Sequence, residues 1–374
     1  MANILVTYEV SDNTADVNIV SLSDMFTCMG VPYKFTRTSQ VKSNDLVWGD
    51  VILAIRPNSI YSLQIATAAK QSGRYYILLI DDDIINLDVS HPDYWKRKYT
   101  ISCLELGDAL LTPNLFIQKD YCSRFHLKPI LVNAHVNEED IKPIHHINHI
   151  IKFIYPAGKD HAEIFNKYLS PVFNRIIEKY KDVIEITFIG VRPNLAQFEN
   201  VHYIEQMAYS DYLKFMQKEQ FDVGLAPLED TSFCRRKYFV KYIEYSKYGI
   251  LGMYSDSYPY KFVVRNKENG ILVKNSIEEW MKEITRLIEC PLEIKRMIEV
   301  AQHDLRENFT IDKVTQAFIF QCPEIIEFKA QTSSVQYVSS LFSVINFKIK
   351  NILSKIICRL TPKGKKYLSI IFKS

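Results

Sequence analysis

The sequence predicts an α/β fold made of two parallel-sheet halves, and three observations carry the prediction. At 374 residues the chain is long for one hydrophobic core and suits two domains of ordinary size. Short apolar runs alternate with amphipathic segments, as strands alternate with covering helices in a parallel sheet. The alternation pauses once, at "HVNEEDIKPIHHINH" (135–149), a polar stretch with a proline that reads as the linker.

In the first half, "ILVTYEV" (4–10), "DVILAI" (50–55) and "YYILLI" (75–80) read as strands. "ADVNIVSLSDMFTCMG" (15–30) and "SLQIATAAKQSG" (62–73) read as helices that stop at glycine. "ALLTP" (109–113), "FIQKDYCSRF" (116–125) and "PILVNA" (129–134) continue the pattern. After the linker come a strand in 149–158, a long helix over 161–180, and strands at 184–190, 201–206, 221–228 and 250–255. A helix over 236–249 precedes the last of these, and further helices are expected at 276–289, 291–307 and 311–320. Two such halves are expected to meet at a cleft between the carboxyl ends of their sheets, where open α/β sheets bind ligands.

Composition removes several classes. Only 11 glycines are present, and no Gly-x-Gly-x-x-Gly fingerprint, which argues against a dinucleotide oxidoreductase. Seven scattered cysteines without a Cys-x-x-Cys pair read as reduced thiols of a cytoplasmic protein. "MANILVTYEV" enters a strand at once, so no secretion signal is expected, and no apolar run approaches a membrane span. Residues 331–374 hold eight Lys/Arg and no Asp/Glu, which leaves 38 basic and 43 acidic residues elsewhere. A mildly acidic body with a basic tail is unlike a nucleic-acid binder, so no nucleic-acid partner is expected.

The second half carries a resemblance. "FDVGLAPLEDTSFCRRKYFVKYIEYSKYGILGMYSDSYPYKFVVRNKENGILV" (221–273) resembles the donor-binding segment of GT-B glycosyltransferases of the group 1, family 4-like type. "IKFIYPAGKDHAEIFNKYLSPVFNRIIEKYKDVIEITFIGVRP" (151–193) is similar to that family's first strand, phosphate-side loop, helix and second strand. The likeness covers roughly 150–320 and extends more loosely to "GDVILAIRPNSIYSLQIATAAKQSGRYYILLIDDDIINL" (49–87). It implies two Rossmann-like domains facing across a cleft: an acceptor domain at 1–140, a nucleotide-sugar donor domain at 141–330, and a basic amphipathic tail at 331–374.

A nucleotide-sugar presents a ribose diol, two phosphates and a hexose. One carboxylate suits the diol, and the resemblance gives that role to Glu244. The phosphates need cations and helix amino-termini. Arg235, Arg236 and Lys237, at the expected start of the Glu-bearing helix, are candidates, as are Gly158, Lys159 and His161 in the loop before the long helix. Many retaining members carry a second Glu eight positions earlier; here that position is Arg236, and Lys237 resembles a Lys-containing variant. Lys237 and Glu244 are therefore the catalytic candidates on the donor side.

"DDD" at 81–83 ends an expected strand, and the family generally works without a bound metal. Asp82 and Asp83 read as acceptor-side carboxylates, one of them binding an acceptor hydroxyl or acting as base; the alternative is helix capping. Arg56 either holds the acceptor or pairs with one of these aspartates. His145, His146 and His149 lack the patterned partners of a metal site. In the tail, Leu341, Phe342, Ile345, Ile349, Ile352, Leu353, Ile356 and Leu360 share one helical face flanked by Lys348, Lys350, Lys355 and Arg359, with Lys363, Lys365 and Lys366 beyond. That face is expected to lie on an anionic membrane surface or to dock on the amino domain or a partner.

The expectation is a metal-independent enzyme without a cofactor, cytoplasmic or peripheral on the inner membrane face. It would move a hexose from a nucleotide-sugar to a glycan or lipid-linked acceptor in bacterial surface polysaccharide synthesis. The alternative is an inactive nucleotide-sugar-binding or scaffold protein of the same fold.

Overall fold

The computed structural model describes residues 1–9, 13–89, 91–158, 161–196, 198–331 and 341–360. The chain divides into two compact units, one of Met1–Ala134 with the described chain from Ile311 onward, the other of His135–Thr310. Each is built on one six-stranded, all-parallel sheet.

The first sheet contains β1 (Ile4–Tyr8), β2 (Tyr33–Arg37), β3 (Val51–Ile55), β4 (Tyr75–Leu79), β5 (Ala109–Thr112) and β6 (Lys128–Leu131). Their order is β2-β1-β3-β4-β5-β6. Five of these strands were expected. The sixth, β2, was not, because it is an edge strand whose residues "YKFTR" are all only half-buried and show no apolar run. One face of the sheet is covered by Leu22, Met25 and Phe26 with Val314 and Phe318; the other by Ile65, Ala69, Leu104 and Tyr121.

The segment from Ile311 differs from expectation. It belongs with the first unit, not with the donor half to which residues up to 330 were given. Burial of Val314, Phe318 and Ile325 in the first core holds it there. Gln321 also acts like an added strand at the open edge of β6. Its Oε1 accepts from the Leu131 N–H and its Nε2 donates to the Leu131 carbonyl, both at 2.8 Å. Such capping satisfies an edge that would otherwise be open to pairing. Lys128 and Glu324 form an ion pair beside it at 2.7 Å.

The second sheet contains β7 (Ile151–Pro156), β8 (Ile184–Ile189), β9 (Val201–Ile204), β10 (Val223–Ala226), β11 (Leu251–Ser255) and β12 (Ile271–Val273). Their order is β12-β11-β10-β7-β8-β9, around a core that includes Phe153, Phe173, Phe188 and Trp280. The helix expected over 161–180 is two, Ala162–Tyr168 and Ser170–Lys179, with Pro171 opening the second. A proline fits a first turn, where its missing N–H has no partner to lose. The expected linker is packed onto this unit. The Lys142 N–H donates to the Lys247 carbonyl at 2.8 Å, and His145 pairs with the buried Asp222 at 2.9 Å.

The tail forms a helix, Leu341–Leu360. It docks on the first unit through Val344 and Phe347, a face other than the one the helical wheel favoured. The Phe347 ring lies 5.4 Å from both Trp95 and Tyr99 and 6.3 Å from Tyr61. Side chains from residue 354 on, including Lys355, Ile356, Arg359 and Leu360, and all of Lys363, Lys365 and Lys366, lie outside the described residues, as do the side chains of Leu341 and Phe342.

Candidate functional site

All strands of the second sheet are parallel, so the loops that follow them gather on one edge. That edge is where open α/β sheets present ligand-binding groups. The phosphate-side loop follows β7. Gly190, at the end of β8, lies against this loop with φ +76°, and a Cβ there would sit 2.8 Å from the Ala157 carbonyl oxygen. Only glycine suits both the left-handed backbone and the contact. Gly158 and His161 are in this loop, and the His161 N–H donates to the Gly158 carbonyl at 3.0 Å. Lys159 lies outside the described residues.

The loop after β10 is pinned at its root. Ser255 Oγ accepts from the Leu228 N–H at 2.8 Å and donates to Asn275 Oδ1 at 2.6 Å. Asn275 Nδ2 returns to the Leu228 carbonyl at 2.8 Å. The backbone then makes a short helix, Ser232–Arg235, capped by Thr231. The Glu-bearing helix is Val240–Lys247, so Arg235, Arg236 and Lys237 precede it and do not open it as expected. Their own turns account for this: the Arg236 and Lys237 N–H groups donate back to Phe233 and Cys234, at 3.1 Å each. Arg235 is engaged in a forked pair with Asp230, at 2.7 and 2.9 Å. Arg236 and Lys237 are half-buried, and the Lys237 ammonium stands 5.4 Å from the Phe233 ring centre.

Glu244 is set by close packing of its helix on the sheet. The buried Tyr245 ring lies over Gly224 of β10, where a Cβ would come within 2.6 Å of the ring. Tyr245 also donates its hydroxyl to the Leu225 carbonyl at 2.7 Å. Glu244, one residue earlier, is half-buried. Its Oε1 accepts from the Tyr212 hydroxyl and its Oε2 meets the Lys241 ammonium at 3.0 Å. A carboxylate offers about four acceptor positions, so both oxygens can still accept from a diol. Burial, then the Glu244 charge, raises the phenols of Tyr209, Tyr212 and Tyr248, which keeps them protonated as donors.

Lys241 and Tyr212 were missed. Lys241 had a signal, since a residue three before Glu244 shares its helical face. Tyr212 had none: it comes from another helix, Tyr209–Lys218, 32 residues away.

In the first unit the aspartates have different fates. Asp81 Oδ1 accepts from Arg56 and its Oδ2 accepts from Asn18 at 3.0 Å. Of the two readings of Arg56, pairing with an aspartate is therefore the one observed; the residue sits at φ +44°. Asp83 is 3% exposed and accepts from Tyr121 at 2.7 Å and Asn86 at 2.9 Å. A buried carboxylate so engaged fixes its loop. Asp82 is half-buried and accepts from the Asp83 N–H at 3.0 Å. Among the described residues no group of three or more His, Cys, Asp or Glu is placed to hold a metal ion.

No family model matches the sequence. No curated protein matches it either. Solved structures do share its fold. Anabaena HepE in complex with UDP-glucose is 10% identical, with a TM-score of 0.60 over 87% of this chain and 100% of that one. A glycosyltransferase from Rickettsia africae is 11% identical, with a TM-score of 0.62 over 87% and 99%. A Listeria monocytogenes protein described as a putative UDP-N-acetylglucosamine 2-epimerase is 10% identical, with a TM-score of 0.54 over 88% and 99%. Likeness at this identity is a statement about architecture: the chain has the GT-B fold.

Proposed function

We propose that the chain is a glycosyltransferase that takes a hexose from a nucleoside diphosphate sugar and passes it to a glycan or lipid-linked acceptor, in the assembly of a bacterial surface polysaccharide. One observation carries the reading. A partly exposed acid, Glu244, lies on the helix Val240–Lys247, which follows directly on the loop after β10 that bears Arg236 and Lys237. UDP-sugar complexes among proteins of the same fold support it.

In this reading Glu244 accepts hydrogen bonds from the ribose diol. Arg236 and Lys237, with Gly158, Lys159 and His161 across the sheet edge, hold the diphosphate. The acceptor oxygen forms the new bond to the anomeric carbon as the bond to the diphosphate oxygen breaks. The acceptor proton passes to a base, for which Asp82 is the candidate in the first unit. Negative charge grows on the departing diphosphate, and preplaced cations count most there. Such cations can take the role of a metal, so activity is expected to survive a chelator.

The test is a thermal-shift screen with UDP, GDP, ADP, TDP and CMP, because a ligand that binds only the folded state raises its stability. One diphosphate stabilises the wild type, and Glu244→Ala or Lys237→Ala removes the shift. Unchanged shifts in both variants would sink the donor assignment. A second reading, an inactive nucleotide-sugar-binding protein, is favoured by Arg236 standing where many retaining members carry Glu. Incubation with a mixed nucleotide-sugar pool and mass analysis of the products separates the two, since a binding protein yields no transfer product.

A further inference from the structure

The tail helix has two apolar faces, and only one is used. Val344 and Phe347 are buried on the first unit among Tyr61, Trp95 and Tyr99. On the side turned away, Ile345, Ile349, Ile352 and Leu353 are 47%, 51%, 58% and 42% exposed. Successive residues turn about 100° on a helix, so these four make one continuous stripe. A helix free in water has no use for two apolar faces, and four adjacent aliphatic side chains left bare point to an occupant.

The surrounding charge identifies the chemistry of that occupant. Lys348 is exposed at the edge of the stripe. Lys350 lies close enough to Lys98 of the first unit for its charge to act there; burial first, and then that charge, lowers the Lys98 ammonium. Two cations held close together favour an anion nearby. The segment 331–374 carries eight Lys and Arg and no Asp or Glu, so its own charge is positive throughout. Pairing of the stripe with a second copy would bring these like charges together. No helix among the described residues is long and apolar enough to cross a membrane. Apolar side chains on one side with lysines along the rim are the features of a helix lying in a bilayer interface, its lysine stems reaching to the headgroups.

We propose that the helix Leu341–Leu360 is a surface anchor that seats Ile345, Ile349, Ile352 and Leu353 in the interface of an anionic lipid bilayer, with Lys348 and Lys350 on its headgroups. Because Phe347 fixes the opposite face, the anchor presents the first unit to the membrane in one orientation. The inference stands whether or not the chain transfers sugars.

The test is flotation of the full chain with phosphatidylglycerol-containing vesicles and with pure phosphatidylcholine vesicles. The wild type partitions onto the anionic vesicles and far less onto the neutral ones. Ile349→Glu combined with Ile352→Glu lowers partition roughly tenfold or more, and Lys348→Gln with Lys350→Gln lowers it roughly tenfold. The isoleucines are exposed, so melting temperature should hold in both variants. Equal partition of the wild type onto the two vesicles, or wild-type binding by the isoleucine variant, overturns the anchor. So does a concentration-dependent dimer, seen by sedimentation without lipid, that the isoleucine variant dissolves.

Discussion

The two sheets share an architecture and differ in what their carboxyl edges do with charge. In the first, two of three neighbouring acids bond within the unit: Asp81 with Arg56 and Asn18, Asp83 with Tyr121 and Asn86. In the second, a neutral network of Ser255, Asn275 and Leu228 roots a loop whose Arg236 and Lys237 keep partial exposure. Buried charge that is hydrogen-bonded on all sides builds shape. The strand orders differ too, and a shared architecture does not give the two edges the same side-chain chemistry.

Substitutions can break or sharpen that contrast. The largest effect is expected from Gly224→Ala, since the added Cβ meets the Tyr245 ring at 2.6 Å. Overpacking of this kind costs about 1–3 kcal/mol, and because Tyr245 adjoins Glu244, nucleotide stabilisation should weaken with it. A melting curve with and without the preferred diphosphate reads both. Next is Glu244→Gln, which keeps shape but removes the charge proposed to grip the diol; hydrogen bonds to charged groups are worth about 1.5–3 kcal/mol, so affinity should fall roughly tenfold to a hundredfold by calorimetry while the melting temperature moves little.

Asp83→Asn tests the other edge. It strands Tyr121 or Asn86 and should cost about 1–3 kcal/mol of stability, with nucleotide affinity unchanged. Loss of affinity in this variant would dissolve the distinction between the edges. Gln321→Ala opens the edge of β6 for about 1 kcal/mol, seen as a lower denaturation midpoint.

The smallest effect is in acid. Burial pushes the Glu324 carboxyl up, but the Lys128 hydrogen bond and charge outweigh it and leave the group below its ordinary value. A depressed carboxyl contributes fully above its unfolded value, and the contribution fades as pH falls through the folded one. Stability should thus decline below about pH 4, and Glu324→Gln should flatten that decline in a pH series of melts. Both partners are partly exposed, so the slope is shallow.

Much of this was readable in the chain. Strands with continuous apolar runs, helices stopped by Gly30 and Gly73, and the helix bearing Glu244 announce themselves, because burial on a parallel sheet imposes a local pattern. What lacked a local pattern was lost. The half-buried β2 shows no run, and the break before Pro171 left the periodicity of its helix intact. Tyr212 reaches Glu244 from a distant segment, and Asp83 turned inward where its two neighbours did not.

The sequence by itself determined two strand-helix alternations that build two sheets, and a helix bearing Glu244 after a cluster of cations. Tertiary structure alone decided which polar groups are used up inside a unit, that the chain from Ile311 closes the first core, and which face of the tail stays bare. The reason is that periodicity records only that a residue has a buried side. Which partner it meets there depends on where remote parts of the chain return, and no local repeat encodes that.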